Sequence, residues 1–440
     1  MTSPHPLDLR LLPASATIVN DRLEVGGVDV AGLAERFGTP LYVYDEDELI
    51  RRATAYRDAM GPGNVAYASK AFLCVAMARL VADAGLALDV ASGGELHIAL
   101  HAGFPAARIV FHGNDKSDAE LAQAIEAGVG RIVVDSHDEI ERISKLARSN
   151  HGPALLVRVT PGVEAHTHEF IETGTEDSKF GFTVNGDYAL SAIERVITDE
   201  RLRFGGLHCH IGSQIDMRAP FARTAEVMAQ LASQVRDQFG VEVPEVTIGG
   251  GLGVPYVAED VDTFPTIASF CVALRADWEA ACTNAGLAAP PRLTVEPGRS
   301  IAAPAGITLY RVGTIKDIPG VRTYAAVDGG MSDNPRPALY GARYEVFVPA
   351  RVTAARPRVV SIAGKHCEQG DVLVQDAAVP ADLAVGDVIA TPVTGAYAYS
   401  MASNYNRLPR PAVVFVRAGE ARVVVRRETY DDLVSLDVID

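Results

Sequence analysis

The chain predicts an α/β fold: a (β/α)8 TIM-type barrel joined to a second, all-β domain of barrel or sandwich type. Three observations carry that expectation. Eight short apolar or β-branched runs recur through the first 300 residues, most of them separated by stretches of helical periodicity. Beyond about Ala303 the texture changes to strand-like runs with turn residues between them and no helix-length gaps. The length, 440 residues, exceeds one ordinary domain and suits a large barrel with a smaller partner.

The eight runs are NVAYAS (64–69), LALDVA (86–91), RIVFHG (108–113), RIVVD (131–135), ALLVRVT (154–160), FGGLHCH (204–210), EVTIGG (245–250) and RLTVEP (292–297). Helical patterns fill most gaps, among them 71–84, 117–127, 221–239 and 266–285. Strands alternating with helices make parallel βαβ units, and eight of them in about 250 residues is the arithmetic of a barrel. The longer stretch 161–203 is expected to form a loop with its own helix. The later runs, from ITLYRVGTI through YEVFVPARV to ARVVVRRET, read as the all-β module. TIVNDRLEV near the N-terminus reads as a strand that pairs with that module. The expected division is therefore 39–303 for the barrel and 1–38 plus 304–440 for the all-β domain.

Composition narrows the partners. Lys+Arg is 40 and Asp+Glu is 56, a net charge of −16. Such a surface repels phosphate backbones and anionic lipid, so neither nucleic acid nor membrane is expected as a partner. A local pocket can still oppose the global sign. The five cysteines (Cys74, Cys209, Cys271, Cys282, Cys367) are odd in number and scattered, with no CxxC pair. That favours free thiols in a reducing compartment, and with no signal-peptide pattern at the start a cytoplasmic location is expected.

Barrel enzymes draw their chemistry from the C-terminal ends of the strands. Here those ends hold Lys70, Asp89, His112, Arg158, His208 and His210 with Ser213, the glycine turn Gly249–Gly253, and Glu296-Pro297-Gly298-Arg299. The glycine turn offers closely spaced N–H groups to a phosphate, although tight turns need glycine anyway. A lysine at the end of strand one is by itself more often a surface charge. Together they suggest a Schiff-base site for pyridoxal 5'-phosphate, with Glu296 keeping the pyridine nitrogen protonated and His210 stacking on the ring. The pair His208 and His210 also has the i, i+2 spacing of a metal site on a strand, but no matching ligands follow downstream, so no metal is expected. His166 and His168 share that spacing in the excursion loop and are read as loop or lid residues.

YASKAF (67–72), DVASGGEL (89–96), FHGNDKS (111–117), GVEAHTHEFIETG (162–174), LHCHIGSQI (207–215), IGGGLG (248–253), EPGRSI (296–301), VDGGMSDNPRPALYGA (327–342), GKHCEQGD (364–371) and TGAYAYSMASNYN (394–406) run in order over nearly the whole chain. By these segments the chain resembles the fold-type III pyridoxal-phosphate-dependent decarboxylases. The resemblance implies Lys70 as the lysine that binds the cofactor and His210 as its stacking partner. It implies Ser213, Gly249, Gly250, Gly251, Gly298, Arg299 and Tyr397 around the phosphate, and Glu296 at the pyridine nitrogen. It implies Arg299, Arg336, Tyr340, Glu368 and Tyr397 around the far end of an amino-acid substrate. Cys367 is implied as proton donor, reaching the partner subunit's site in a homodimer. The implied reaction is decarboxylation of meso-2,6-diaminopimelate to L-lysine. Rival readings are a relative acting on ornithine, lysine or a carrier-bound amino acid, a racemase, and an inactive binding homologue. Two positions depart from the family pattern: Gln369 stands where Ser or Thr is usual, and Ser69 where Ala is commoner.

Overall fold

The computed structural model describes residues 7–147, 152–163 and 179–438. The chain divides into two compact units. One comprises residues 52–253 and 264–300; the other comprises 1–51, 254–263 and 301–440.

The first unit is the barrel. Its strands, in order, are Ala66–Ala68, Ala87–Val90, Ile109–Phe111, Arg131–Val134, Ala154–Thr160, Arg203–His208, Glu245–Thr247 and Arg292–Thr294. Each pairs in parallel with the next. A parallel bridge between Val65 and Val295 joins the last to the first. Ala66, Ala87, Val110, Val133 and Leu156 pack together inside, mixing small and branched side chains as a narrow barrel requires. Phe182–Thr183 adds a short parallel pairing to the fifth strand, and the helix Tyr188–Thr198 follows in the excursion.

Serine and threonine caps start several barrel helices right after the strand ends. The Ser92 and Ser136 side chains accept from the Glu95 and Glu139 N–H groups. Ser117 and Glu120 form a reciprocal capping box before Asp118–Ala127. Thr266 caps Ile267–Asn284. Caps here fix where each strand-to-helix loop ends, and so where the functional residues stand. One buried ion pair ties two such loops. Lys116 Nζ lies 2.6 Å from Glu139 Oε1 and donates to the carbonyls of Val133 and Gly113.

The second unit holds an eight-stranded mixed sheet. Its order runs Val372–Val379, Arg358–Ala363, Arg322–Val327, Gly306–Ile318, Leu41–Asp45, Ala412–Arg417 and Glu420–Val425, with Val388–Pro392 also on Gly306–Ile318. Leu41–Asp45 therefore belongs to this unit, so the division falls after Arg51 and not at 38/39. The reason is pairing: this fully buried strand lies between Gly306–Ile318 and Ala412–Arg417. TIVNDRLEV is a hairpin, Thr17–Val19 with Arg22–Val25, turned by Asn20 and Asp21 at φ 49° and 65°. Its pairing is with Val28–Asp29 in a separate three-stranded sheet, while Leu23 and Val25 pack into the core with Val43 and Leu309. YEVFVPARV forms only a bridge, Phe347 with Ala390, although Tyr344, Val346, Phe347 and Val348 are all buried. Burial on both faces made that run look like a strand.

Because Glu139 is the carboxylate in direct contact with Lys116 among the described residues, Glu139→Ala is expected to cost about 3–5 kcal/mol of stability by leaving a buried cation. The double variant Lys116→Met, Glu139→Leu is expected to recover most of that loss. Denaturant unfolding of the three proteins checks both.

Candidate active site

In the barrel unit the strand ends converge on a buried carboxylate. Glu296 lies just past strand eight, with His208 at the end of strand six and His112 just past strand three. His208 Nε2 is 3.0 Å from Glu296 Oε2, and His112 Nε2 is 3.0 Å from Glu296 Oε1. Asp89, on strand two, reaches to 3.5 Å from His112 Nε2. All four residues are buried. The His112 and His208 rings meet edge to face at 4.8 Å.

The electrostatics follow from burial and neighbours. Burial disfavours the Glu296 charge, but His112 and then His208 outweigh it and hold the carboxyl well below 4.5. Burial likewise disfavours a charged His112, yet Asp89 and Glu296 lift it above 6.5. Burial pushes His208 down to about 4, so it is neutral and donates from Nε2. Burial raises Asp89 to about 6 against the pull of His112 and Lys70. The ligand atoms of His112, His208 and Glu296 all lie within 4.8 Å of one another, close enough for a metal ion. The same distances suit an ion pair between Glu296 and a protonated His112. The i, i+2 histidines separate here: His208 turns to Glu296, while His210 Nδ1 accepts a hydrogen bond from the Gly250 N–H at 3.3 Å.

That bond fixes His210 to the glycine turn. Gly249 and Gly251 have φ of +74° and +115°, where side chains are strained. A Cβ on Gly249 would stand 2.6 Å from His210 Nδ1 and 2.8 Å from the Cys209 carbonyl oxygen. Close by in the same unit, the buried Arg299 donates to Ser213 Oγ at 3.1 and 2.9 Å. Gly298 packs against Ala68 and Ala71, which flank Lys70. Lys70 is exposed in the short turn Ser69–Ala71, and its charge is felt by Asp89, His112 and His210. Burial, then Lys70 and Arg158, push His210 well below 6.5, so its imidazole is uncharged. Arg158 is buried, its guanidinium 4.3 Å over the Phe180 ring. Ser69 Oγ is buried with no hydrogen-bond partner among the described residues.

The second unit carries the other candidate residues. Arg336 opens the short helix Arg336–Tyr340 and is buried. It bonds to the Tyr344 hydroxyl and lies 4.3 Å over the Tyr256 ring. No carboxylate pairs with it among the described residues. Tyr340 is half-buried at the end of that helix, and Tyr397 sits at φ +60°, a strained value for a non-glycine residue. Cys367, Glu368 and Gln369 form an exposed turn. Its base is tight: Asp371 accepts from the His366 and Met331 N–H groups, and Asn406 Oδ1 accepts from Cys367 N–H at 2.9 Å. Cys367 is the one exposed cysteine of the five. His166 and His168 lie outside the described residues.

The residues of the barrel unit fit pyridoxal phosphate. An amine, a cradle of backbone N–H groups with a hydroxyl and a guanidinium, and an ionised carboxylate are the donors and charges that its aldehyde, phosphate and pyridine nitrogen need. Sequence reasoning had His112 among the strand ends but gave it no role, because its partners Asp89 and Glu296 come from other strands.

Residues 46–303 match the family model of the pyridoxal-dependent decarboxylase, pyridoxal binding domain. The chain is 49% identical over 423 residues to the diaminopimelate decarboxylase of Bacillus subtilis (strain 168), covering 94% of this chain and 95% of that one. It is 50% identical over 432 residues to the diaminopimelate decarboxylase of Mycobacterium tuberculosis (strain ATCC 25618 / H37Rv), covering 95% and 96%. Among solved structures, the diaminopimelate decarboxylase of M. jannaschii in complex with L-lysine superposes with a TM-score of 0.89 at 35% identity, over 97% of this chain and 98% of that one.

Gly249→Ala is expected to weaken pyridoxal phosphate binding by about tenfold or more while the fold persists, since its Cβ would displace His210. Absorbance titration with far-UV dichroism as control checks it.

Proposed function

The chain belongs to the diaminopimelate decarboxylase family of pyridoxal-dependent decarboxylases, and on that footing we propose that it converts meso-2,6-diaminopimelate to L-lysine and CO2, the last step of lysine biosynthesis. When bound, pyridoxal 5'-phosphate supplies an electron sink for the pair left behind by departing CO2. The protein's part is to bind, orient and move protons.

Lys70 is the amine that anchors the cofactor. Ser213, the Gly249–Gly251 turn, Gly298, Arg299 and Tyr397 hold its phosphate. Glu296, kept ionised, serves the pyridine nitrogen. His210 would stack on the ring, a role that suits an imidazole whose pKa burial, Lys70 and Arg158 lower. Arg299, Arg336, Tyr340 and Tyr397 take the far carboxylate of the substrate, and Glu368 its far ammonium. Cys367 delivers the proton to the carbon that lost CO2, and comes from the partner subunit of a homodimer. The exposure of the Cys367–Glu368 turn within its own chain supports that last assignment.

One observation carries the choice of substrate: Arg336 is buried without a carboxylate partner among the described residues. A buried cation without a counter-ion is costly, and an incoming carboxylate offsets that cost with charge-assisted hydrogen bonds. Diaminopimelate brings a carboxylate at its far end. Lysine and ornithine bring only a second ammonium there. A cytoplasmic setting agrees with five free cysteines; among the described residues no helix is long and apolar enough to cross a membrane.

CO2 release measured across meso-diaminopimelate, lysine, ornithine and arginine is expected to give diaminopimelate the highest kcat/KM, and another best substrate would overturn the reading. Arg336→Met is expected to raise KM for diaminopimelate by roughly 100-fold, the loss of a buried charged contact. Lys70→Ala is expected to lose the near-visible absorption band of the holoenzyme. Mixing Lys70→Ala with Cys367→Ala is expected to restore activity through hybrid dimers; no recovery despite proven subunit exchange would argue against a shared site.

A further inference from the structure

Glu296 is buried, yet its pKa is held well below the usual carboxylate range. A lone buried carboxylate takes up a proton, because low dielectric penalises its anion. A protonated Glu296 could not balance a protonated pyridine nitrogen. The answer lies in which groups touch it. Each of its oxygens has one imidazole nitrogen at 3.0 Å: Oε1 has His112 and Oε2 has His208. The two histidines differ in kind. His208 has a single carboxylate beside it. His112 stands between two, with Asp89 Oδ1 at 3.5 Å on one side and Glu296 on the other.

We propose that His112 is a positioning residue for Glu296: a buried imidazolium set 3.0 Å from one carboxylate oxygen, whose charge keeps the group ionised, while His208 hydrogen-bonds the other. Each Glu296 oxygen then retains a lone pair for the pyridine nitrogen. The inference rests on the reading that Glu296 serves that nitrogen. Asp89 is part of the device, since its charge helps hold His112 protonated. Among the described residues, the other charged or titratable groups that face the cluster include Lys70 after strand one, Glu95 from the helix after strand two, Arg158 from strand five, and Cys209 and His210 after strand six. Lys70 and Arg158 oppose protonation of the histidines, so the charge on His112 depends on the two carboxylates. A packing histidine would not need both carboxylates at its Nε2, and a metal ligand would need that nitrogen unprotonated.

The sign of the pH dependence follows. His112 is charged below its raised pKa and loses its proton as pH climbs through it. Glu296 then loses its cation, and function falls on the alkaline side. The test uses the full-length holoenzyme with 13C-labelled histidine. One of the eleven imidazoles is expected to stay protonated above pH 6.5, to be missing in His112→Gln, and to titrate lower in Asp89→Asn. Gln keeps much of the bulk and the polarity but not the charge. His112→Gln is therefore expected to lower kcat about tenfold, the effect of one pKa unit, with KM changed by less than about twofold and the alkaline limb abolished.

A His112 resonance that titrates at or below 6.5 in the wild-type holoenzyme would overturn the inference. So would wild-type kcat and pH profile in His112→Gln. If that variant does not fold, the wild-type titration decides alone. The two readings fail differently. A wild-type chain that takes up no pyridoxal phosphate overturns the cofactor assignment and this inference with it; normal uptake with an uncharged His112 overturns only this inference.

Discussion

The parallel pairing of Val65 with Val295 is the contact on which the barrel site depends. It closes the strand cylinder, and so makes the first strand end a neighbour of the eighth. Lys70 and Glu296, almost the whole barrel apart in sequence, come to one rim because of it. The seam needs close backbone approach, and Gly298 allows it by packing on Ala68 and Ala71 without a side chain. Hydrogen bonds from Ala66 to Val295 and from Ala68 to Pro297 continue the seam up to the lysine turn. A cylinder of parallel strands has no free edge, and its rim collects the ends of all eight.

Charge in both units is arranged by the cost of burial. Lys116 and Glu139 balance each other and hold two loops, which is a structural use. Glu296 is balanced by two imidazoles whose pKa values burial and neighbours push apart, His112 up and His208 down. Arg336 is covered by tyrosines and has no carboxylate partner among the described residues. The net charge of −16 says nothing of these local arrangements, because it sums over the whole chain.

Much of this was legible in the sequence. The eight apolar runs became the eight barrel strands, since fully buried parallel strands leave continuous hydrophobic stretches. Reading only the strand ends found Lys70, Asp89, His112, Arg158, His208, His210, the glycine turn and Glu296. Other features were hidden for definite reasons. LYVYD at 41–45 looks like any buried strand, and only its pairing with Gly306–Ile318 and Ala412–Arg417 assigns it to the second unit. TIVNDRLEV holds a hairpin because Asn20 and Asp21 tolerate positive φ, a two-residue signal inside an otherwise strand-like run. YEVFV is buried like a strand but finds one bridge, since burial constrains polarity and not hydrogen-bond partners.

The sequence by itself determined the architecture and the cofactor chemistry. Periodicity and motif are local properties, and local spacing is enough to read them. Tertiary structure decided the partnerships. That His208 serves Glu296 while its i+2 neighbour His210 serves Gly250, that burial and neighbours raise the pKa of His112 and lower that of His208, and that Arg336 has no carboxylate partner among the described residues all depend on distances between segments far apart in the chain. A proton's preference between two such groups is set by burial and by charges within a few ångströms, and neither exists until the chain has folded.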